Sequence, residues 1–133
     1  MGPVKVVVHY LNGEVIKGFT QDFSPSKISF HVYPTFNPTG DAINVLMKDL
    51  KAVFFVRDFI GDSQYNERKH YINGENIPGR KLELIFSDDE LLFGSTLGYD
   101  PNRRGFFLFP ADPKSNNIRV YSVASALKKI HIH

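Results

Sequence analysis

The stretch Asp100-Pro101-Asn102-Arg103-Arg104-Gly105 sets a carboxylate, an amide and two guanidinium groups within six residues. Guanidinium groups present planar forks of N–H donors that suit carboxylate or phosphate oxygens, so the chemistry this stretch offers is anion binding. Lys27 falls at the equivalent turn of an earlier, similar stretch, so a basic rim shared by Lys27, Arg103 and Arg104 is expected to serve an anion such as single-stranded RNA, given rings to stack its bases. Rings lie close by, in Phe30-His31-Val32-Tyr33 and Phe106-Phe107-Leu108-Phe109. Strand alternation turns Phe30, Val32, Phe106 and Leu108 inward and leaves His31, Tyr33, Phe107 and Phe109 outward. Aromatic residues on both faces mean that the outer face is covered too, by another part of the chain, a second copy, a partner peptide or stacked bases. Phe54 and Phe55 raise the same question on a later strand.

Other chemistries are thinly represented. His131 and His133 alternate and share one side of a terminal strand, and with His9, His31 or His70 they would make a nitrogen-ligand set for a metal. No thiol or acidic partner is spaced to complete it, so a solvated terminus is the reading taken, with no metal and no cofactor. The chain has no cysteine, which excludes disulfides, thiol catalysis and cysteine–zinc sites. No G-x-S-x-G, P-loop, G-x-G-x-x-G or H-E-x-x-H pattern occurs, so no catalytic residue is assigned and an enzyme is not expected. Asp88-Asp89-Glu90 reads as a solvated acidic hairpin tip.

The hexapeptide at 100–105 resembles the second motif of PilZ domains, D-x-S-x-x-G, which implies binding of cyclic di-GMP. Here Asn102 stands where that family has Ser, and no R-x-x-x-R arm precedes it: Arg68 is followed four residues on by Ile72, and Arg80 by Leu84. Without two arginines to clamp phosphates the resemblance does not carry the activity over, and a Pro-containing β-turn opened by Asp100 accounts for the same residues.

The elements that must position these residues repeat. Sliding residues 4–34 forward by 76 gives seven identities: Lys5/Lys81, Glu14/Glu90, Gly18/Gly94, Thr20/Thr96, Pro25/Pro101, Phe30/Phe106 and Pro34/Pro110. Ile43–Val45 then meets Ile118–Val120 after a one-residue slip, and Leu50–Val53 meets Leu127–Ile130 after a further shift of two. Within each copy, alternation and turn signals predict five short strands, a hairpin at Asn12-Gly13, a bend or bulge at Gly18 or Gly94, and one tight helical turn before the fifth strand. Copies of about 50 residues are near the lower limit for a self-sufficient core, so the two should pack on each other. The expected fold is all-β, two pseudo-symmetric five-stranded barrels resembling the SH3-like or Sm-like type, with residues 1–56 and 80–133 as the copies and 57–79 as a connecting loop that Tyr65, Tyr71 and Ile72 pin to a surface.

Charge and hydropathy narrow the function. Sixteen basic and fourteen acidic residues leave a net charge of +2, too little for strong nonspecific polyanion binding. No apolar run is long enough to span a membrane, and Met1-Gly2-Pro3-Val4 leads straight into a strand, so a cytoplasmic protein is expected. The stretches 49–59, 105–113 and 115–120 look like an uncharacterised bacterial domain family associated with signalling proteins, sometimes beside PilZ or response-regulator modules. That resemblance implies a regulatory binding role with no catalytic residues to transfer. A protein partner or self-association is therefore expected first, and a single-stranded nucleic acid or cyclic nucleotide second.

Overall fold

The computed structural model describes residues 2–36, 41–60, 79–112 and 114–133. Most of the expected connecting loop, with Tyr65, Arg68, His70, Tyr71 and Ile72, lies outside the described residues. In the first copy the strands are β1 (Val4–Tyr10), β2 (Val15–Thr20), β3 (Ser29–Val32), β4 (Ile43–Leu46) and β5 (Leu50–Val56), with a single 3-10 turn at Met47–Asp49 before β5. In the second they are β6 (Arg80–Phe86), β7 (Leu91–Thr96), β8 (Gly105–Pro110), β9 (Asn117–Val123) and β10 (Leu127–Ile132), with the matching turn at Ala124–Ala126. The described residues contain no α-helix. None of their helical turns is long and apolar enough to cross a membrane.

The repeat extends to individual hydrogen bonds. Val6 pairs with Gly18 and Leu82 with Gly94; Val8 pairs with Val53 and Leu84 with Ile130. In the two hairpins, Tyr10 N–H donates to Glu14 C=O and Phe86 N–H to Glu90 C=O, both at 2.9 Å. Gly13 has φ +93° there, and Asp89 occupies the same left-handed conformation at φ 71°. The fourth strands correct one sequence alignment. Phe30 faces Val45 and Phe106 faces Ser122, so the offset is already 77 at β4 and Val45 corresponds to Ser122 rather than Val120.

Gly18 and Gly94 carry no bulge. They are the places where the third strand of each copy crosses close to the second: an added Cβ would lie 2.5 Å from the Tyr33 carbonyl oxygen at Gly18, and 2.2 Å from that of Phe109 at Gly94.

The two closed barrels do not form. Eight strands make one antiparallel sheet in the order β10-β6-β7-β8-β9-β5-β1-β2, β3 and β4 make a second, and neither sheet is closed. The fourth strand of the second copy pairs with the fifth strand of the first, Phe54 facing Val120 and Val53 facing Tyr121. The cause is legible in Leu50–Val56, where every residue is buried. A strand apolar on both faces is wasted on a barrel of its own, which buries one face, and is satisfied where two cores meet it. Val53 and Phe55 enter a core with Val6, Val8, Phe30, Val32 and Tyr121. Ala52, Phe54 and Val56 enter the other, with Leu82, Leu84, Phe86, Phe106 and Val120. Phe54 and Phe55 are thus core residues, not a surface platform.

Candidate functional site

β7 and β8 separate soon after they meet. Their pairing is confined to Gly94 with Pro110 and Ser95 with Phe109, while among the described residues Gly105–Leu108 pair only with β9 on the other side. Half the backbone groups of that segment point away from β9, and no described strand faces them. The gap is a cleft of about 800 Å³, floored by Phe106, Phe107 and Tyr121 and walled by Thr96–Gly98 on one side and Ser24–Ser26 of the first copy on another. Arg103, Arg104 and Phe109 also line it, and none of the described lining residues is acidic. Its size is that of small-molecule and peptide sites generally.

The rim is built from two equivalent turns. Lys27 N–H donates to the Ser24 carbonyl and Arg103 N–H to the Asp100 carbonyl, each at 3.1 Å. Asn102 N–H also donates to Asp100 Oδ1 at 2.9 Å, so Asp100 and Asn102 serve the turn, as a Pro-containing β-turn requires. The Arg104 guanidinium then reaches across the copies and donates to the Lys27 carbonyl at 2.8 Å. The Arg103–Arg104 turn and the Lys27 backbone therefore meet, although Lys27 is not among the residues that line the cleft. Arg103 Nε lies 3.7 Å from Asp100 Oδ2, an exposed and weak tie that leaves its fork available.

The outward aromatics divide. Phe109 is 38% exposed and Leu97, beside it on the wall, is 73% exposed. Phe107 is half-buried: its ring lies 5.3 Å from Tyr121 and 6.0 Å from both Phe23 and Phe55, so it packs against the first core and shows only its remainder to the cleft. Tyr121 is 1% exposed; burial raises its phenol pKa, and Arg103 and Arg104 pull it back down.

His31 and Tyr33 are not among the lining residues. Tyr33 ties β3 to β2, exchanging both backbone hydrogen bonds with Phe19 at 2.8 Å. His31 Nδ1 lies 2.7 Å from Asp22 Oδ2, and its backbone N–H donates to Asp22 Oδ1. Burial works to raise the Asp22 pKa, but these bonds and one from Thr20 hold it below the usual carboxylate range. Gly98 and Phe107 occupy the positions equivalent to Asp22 and His31, so the first copy is tied by a side-chain hydrogen bond where the second has none of this kind.

Three parts of this region were not picked out by the sequence: the Ser24–Ser26 wall, Leu97, and Tyr121. The Ser24–Ser26 wall and Tyr121 enter through contact between copies, which local periodicity does not encode. The acidic hairpin tip is exposed at Asp88 and Asp89 as expected, but it also makes a contact the sequence did not show. Lys51, at the register shift between β5 and β1, donates to Asp88 at 2.7 Å and to Glu90. Its ammonium also sits 4.9 Å from the centre of the Phe86 ring. The tip therefore fastens the second copy to the first. Beside it His9 packs on Phe54 at 4.6 Å between ring centres, with its pKa lowered by burial and by Lys51. At the C-terminus, His133 lies over Phe93 and 4.0 Å from Glu83. Among the described residues no three histidines, aspartates or glutamates gather as a metal site.

A family model described as a family of unknown function (DUF6982) matches residues 2–133. No curated protein and no solved structure matches.

Proposed function

We propose that this chain, which belongs to DUF6982 and inherits no activity from it, is a non-catalytic interaction module that holds an extended acidic segment of a partner protein in the β7–β8 cleft. One observation carries the reading: among the described residues Gly105–Leu108 keep an open strand edge, and the cleft beside it is lined by Arg103 and Arg104 with no acidic side chain among its described lining residues. An open edge offers main-chain hydrogen bonds to an added strand, and alternate side chains of that strand then find pockets or solvent. Arginine forks suit carboxylates, and Leu97, Pro25 and Phe109 suit apolar side chains between them.

Single-stranded nucleic acid is the second reading, favoured by Phe109, a partly exposed ring beside Arg103 on which a base would stack. A strand edge is of no use to that ligand, so the peptide stands first. A regulatory role in a bacterial cytoplasm belongs to the same proposal; it is supported by the resemblance to signalling-associated domains and by the absence of cysteine. So does descent of each copy from an SH3-like or Sm-like unit, supported by the order β5-β1-β2 with β3-β4 and, in the second copy, β10-β6-β7-β8-β9.

The test is fluorescence anisotropy with a short labelled peptide alternating glutamate and valine, its glutamine counterpart, and a thymidine oligonucleotide of equal length, each at low and high salt. The proposal expects saturable binding of the acidic peptide, weakened but not abolished by salt because edge pairing remains. Preference for the oligonucleotide with a steep salt dependence favours the second reading. No binding of any probe refutes both.

A further inference from the structure

Arg119 stands on β9 with its guanidinium carbon 4.5 Å from the centre of the Phe55 ring and 4.3 Å from that of Phe107; it does not itself line the cleft, but Phe107 does. It is half-buried, and among the described residues it has no ion pair and no side-chain hydrogen bond. A guanidinium remains charged in proteins and carries five N–H donors, and desolvating a charge without a partner is unfavourable. Cation–π contact with two rings offsets part of that and fixes the plane of the group. Among the described residues no acceptor takes its donors.

The repeat has no second arginine of this kind. By the β3–β4 and β8–β9 registers the equivalent residue in the first copy is Ala42, while His31 and Ile132 stand in place of Phe107 and Phe55. The clamp therefore exists only at the junction of the copies, where the cleft is. Phe107 links the two: one part of its ring lines the cleft and the ring also carries Arg119.

We propose that Arg119 is a second anionic anchor of the cleft, gripping a carboxylate of the bound segment while Arg103 and Arg104 grip another. The inference rests on the peptide reading above. It also sets a spacing. Gly105, next to Arg104, faces Val123, and Arg119 lies four residues from Val123 along β9. At the rise of a strand this is roughly 13 Å, or about four residues of an extended peptide, an even number that keeps both carboxylates on one face. The acidic segment it fits is thus Glu-x-x-x-Glu with apolar or polar uncharged residues between. Pre-orientation of Arg119 by its two rings removes much of the entropy cost of making that contact.

The experiment is an affinity series with the full chain. The probes are a Glu-x-x-x-Glu peptide built on threonine and valine, its two single Glu→Gln versions, and a version with adjacent glutamates. Charge-assisted hydrogen bonds predict that wild type binds the spaced peptide roughly tenfold or more tighter than either single-acid version. Arg119→Gln should remove that advantage and leave one single-acid peptide bound as in wild type. Arg119→Lys, which keeps charge but not the fork, should recover only part of it. Comparison of spaced and adjacent glutamates needs no variant, so a folding defect in either mutant leaves the inference testable: equal binding of the two overturns it. If Arg119→Gln keeps the full advantage while Arg104→Gln loses it, Arg119 is no anchor and the cleft reading survives. If wild type binds none of the peptides, both fall.

Discussion

Gly94→Ala tests the close strand crossing that shapes the cleft. The new Cβ would lie 2.2 Å from the Phe109 carbonyl oxygen and 2.9 Å from Leu108 Cγ. Ordinary C···O contacts are no closer than about 3.3 Å, so β8 must retreat by about 1 Å. Leu108 is 1% exposed in a close-packed core, and neither its side chain nor the strand can give cheaply. Overpacking of this kind costs about 3 kcal/mol, and alanine returns somewhat under about 1 kcal/mol by stiffening the unfolded chain. The net is about 2 kcal/mol. With an unfolding entropy of about 2.1 cal/mol/K per residue, a chain of 133 residues should lose about 7 °C of Tm. Urea unfolding followed by circular dichroism measures the difference directly. Gly18→Ala should behave alike, because its Cβ would meet the Tyr33 oxygen at 2.5 Å and Val32 Cγ1 at 2.6 Å. Gly98→Ala, with nothing within 4 Å, is the control and should stay near wild type. A Gly94→Ala variant within about 0.5 kcal/mol of wild type, below the usual cost of overpacking, would refute the close crossing of β7 and β8.

Phe23 meets Phe30, Phe55, Phe107 and Tyr121 edge-on at 5.0 to 6.0 Å; Phe23→Ala should cost about 3 kcal/mol, measured by the same urea series. Lys51→Met should stay within about 1 kcal/mol of wild type, since Asp88 and Glu90 are exposed enough to rehydrate and the methionine fills the same space. The folded chain disfavours the protonated form of His9, which faces Lys51, Asp88 and Glu90. Its contribution is therefore present above the ordinary histidine pKa of about 6.5 and is lost as pH falls below it, so His9→Gln should flatten the stability profile between neutral and mildly acid pH. Asp22 has the opposite origin and a lower window: its depressed pKa gives stability above the ordinary carboxylate value that disappears as pH falls through the folded one, and Asp22→Asn should remove that acid-side slope.

The repeat was readable because both copies use one set of local rules: left-handed conformations at Gly13 and Asp89, glycines where strands cross, and alternation along Phe30–Val32 and Phe106–Leu108. All of these are properties of short segments. The inward set Phe30, Val32, Phe106 and Leu108 is buried as alternation demands. Closure was not readable, because it depends on which strand β5 and β9 choose, and the deciding feature is the burial of both faces of Leu50–Val56. The two-residue misalignment at the fourth strand came from matching Ile43 and Val45 to Ile118 and Val120 by residue type, where the structure matches position to the turn that follows. At the site, Lys27, Arg103, Arg104, Phe107 and Phe109 were legible as residue types, and the contact of Arg104 with the Lys27 backbone depended on equivalent turns meeting. His31 and Tyr33 do not line this cleft: Asp22 ties His31, and Tyr33 pairs with Phe19.

The most direct measurement is an amide NMR titration with the spaced acidic peptide. The account predicts saturable shifts at Gly105–Phe109, Thr96–Gly98 and Ser24–Lys27, with slowed hydrogen exchange along Gly105–Leu108 as its open edge gains a strand. Shifts confined to the β4 and β10 edges, or a silent spectrum at saturating peptide, would contradict it.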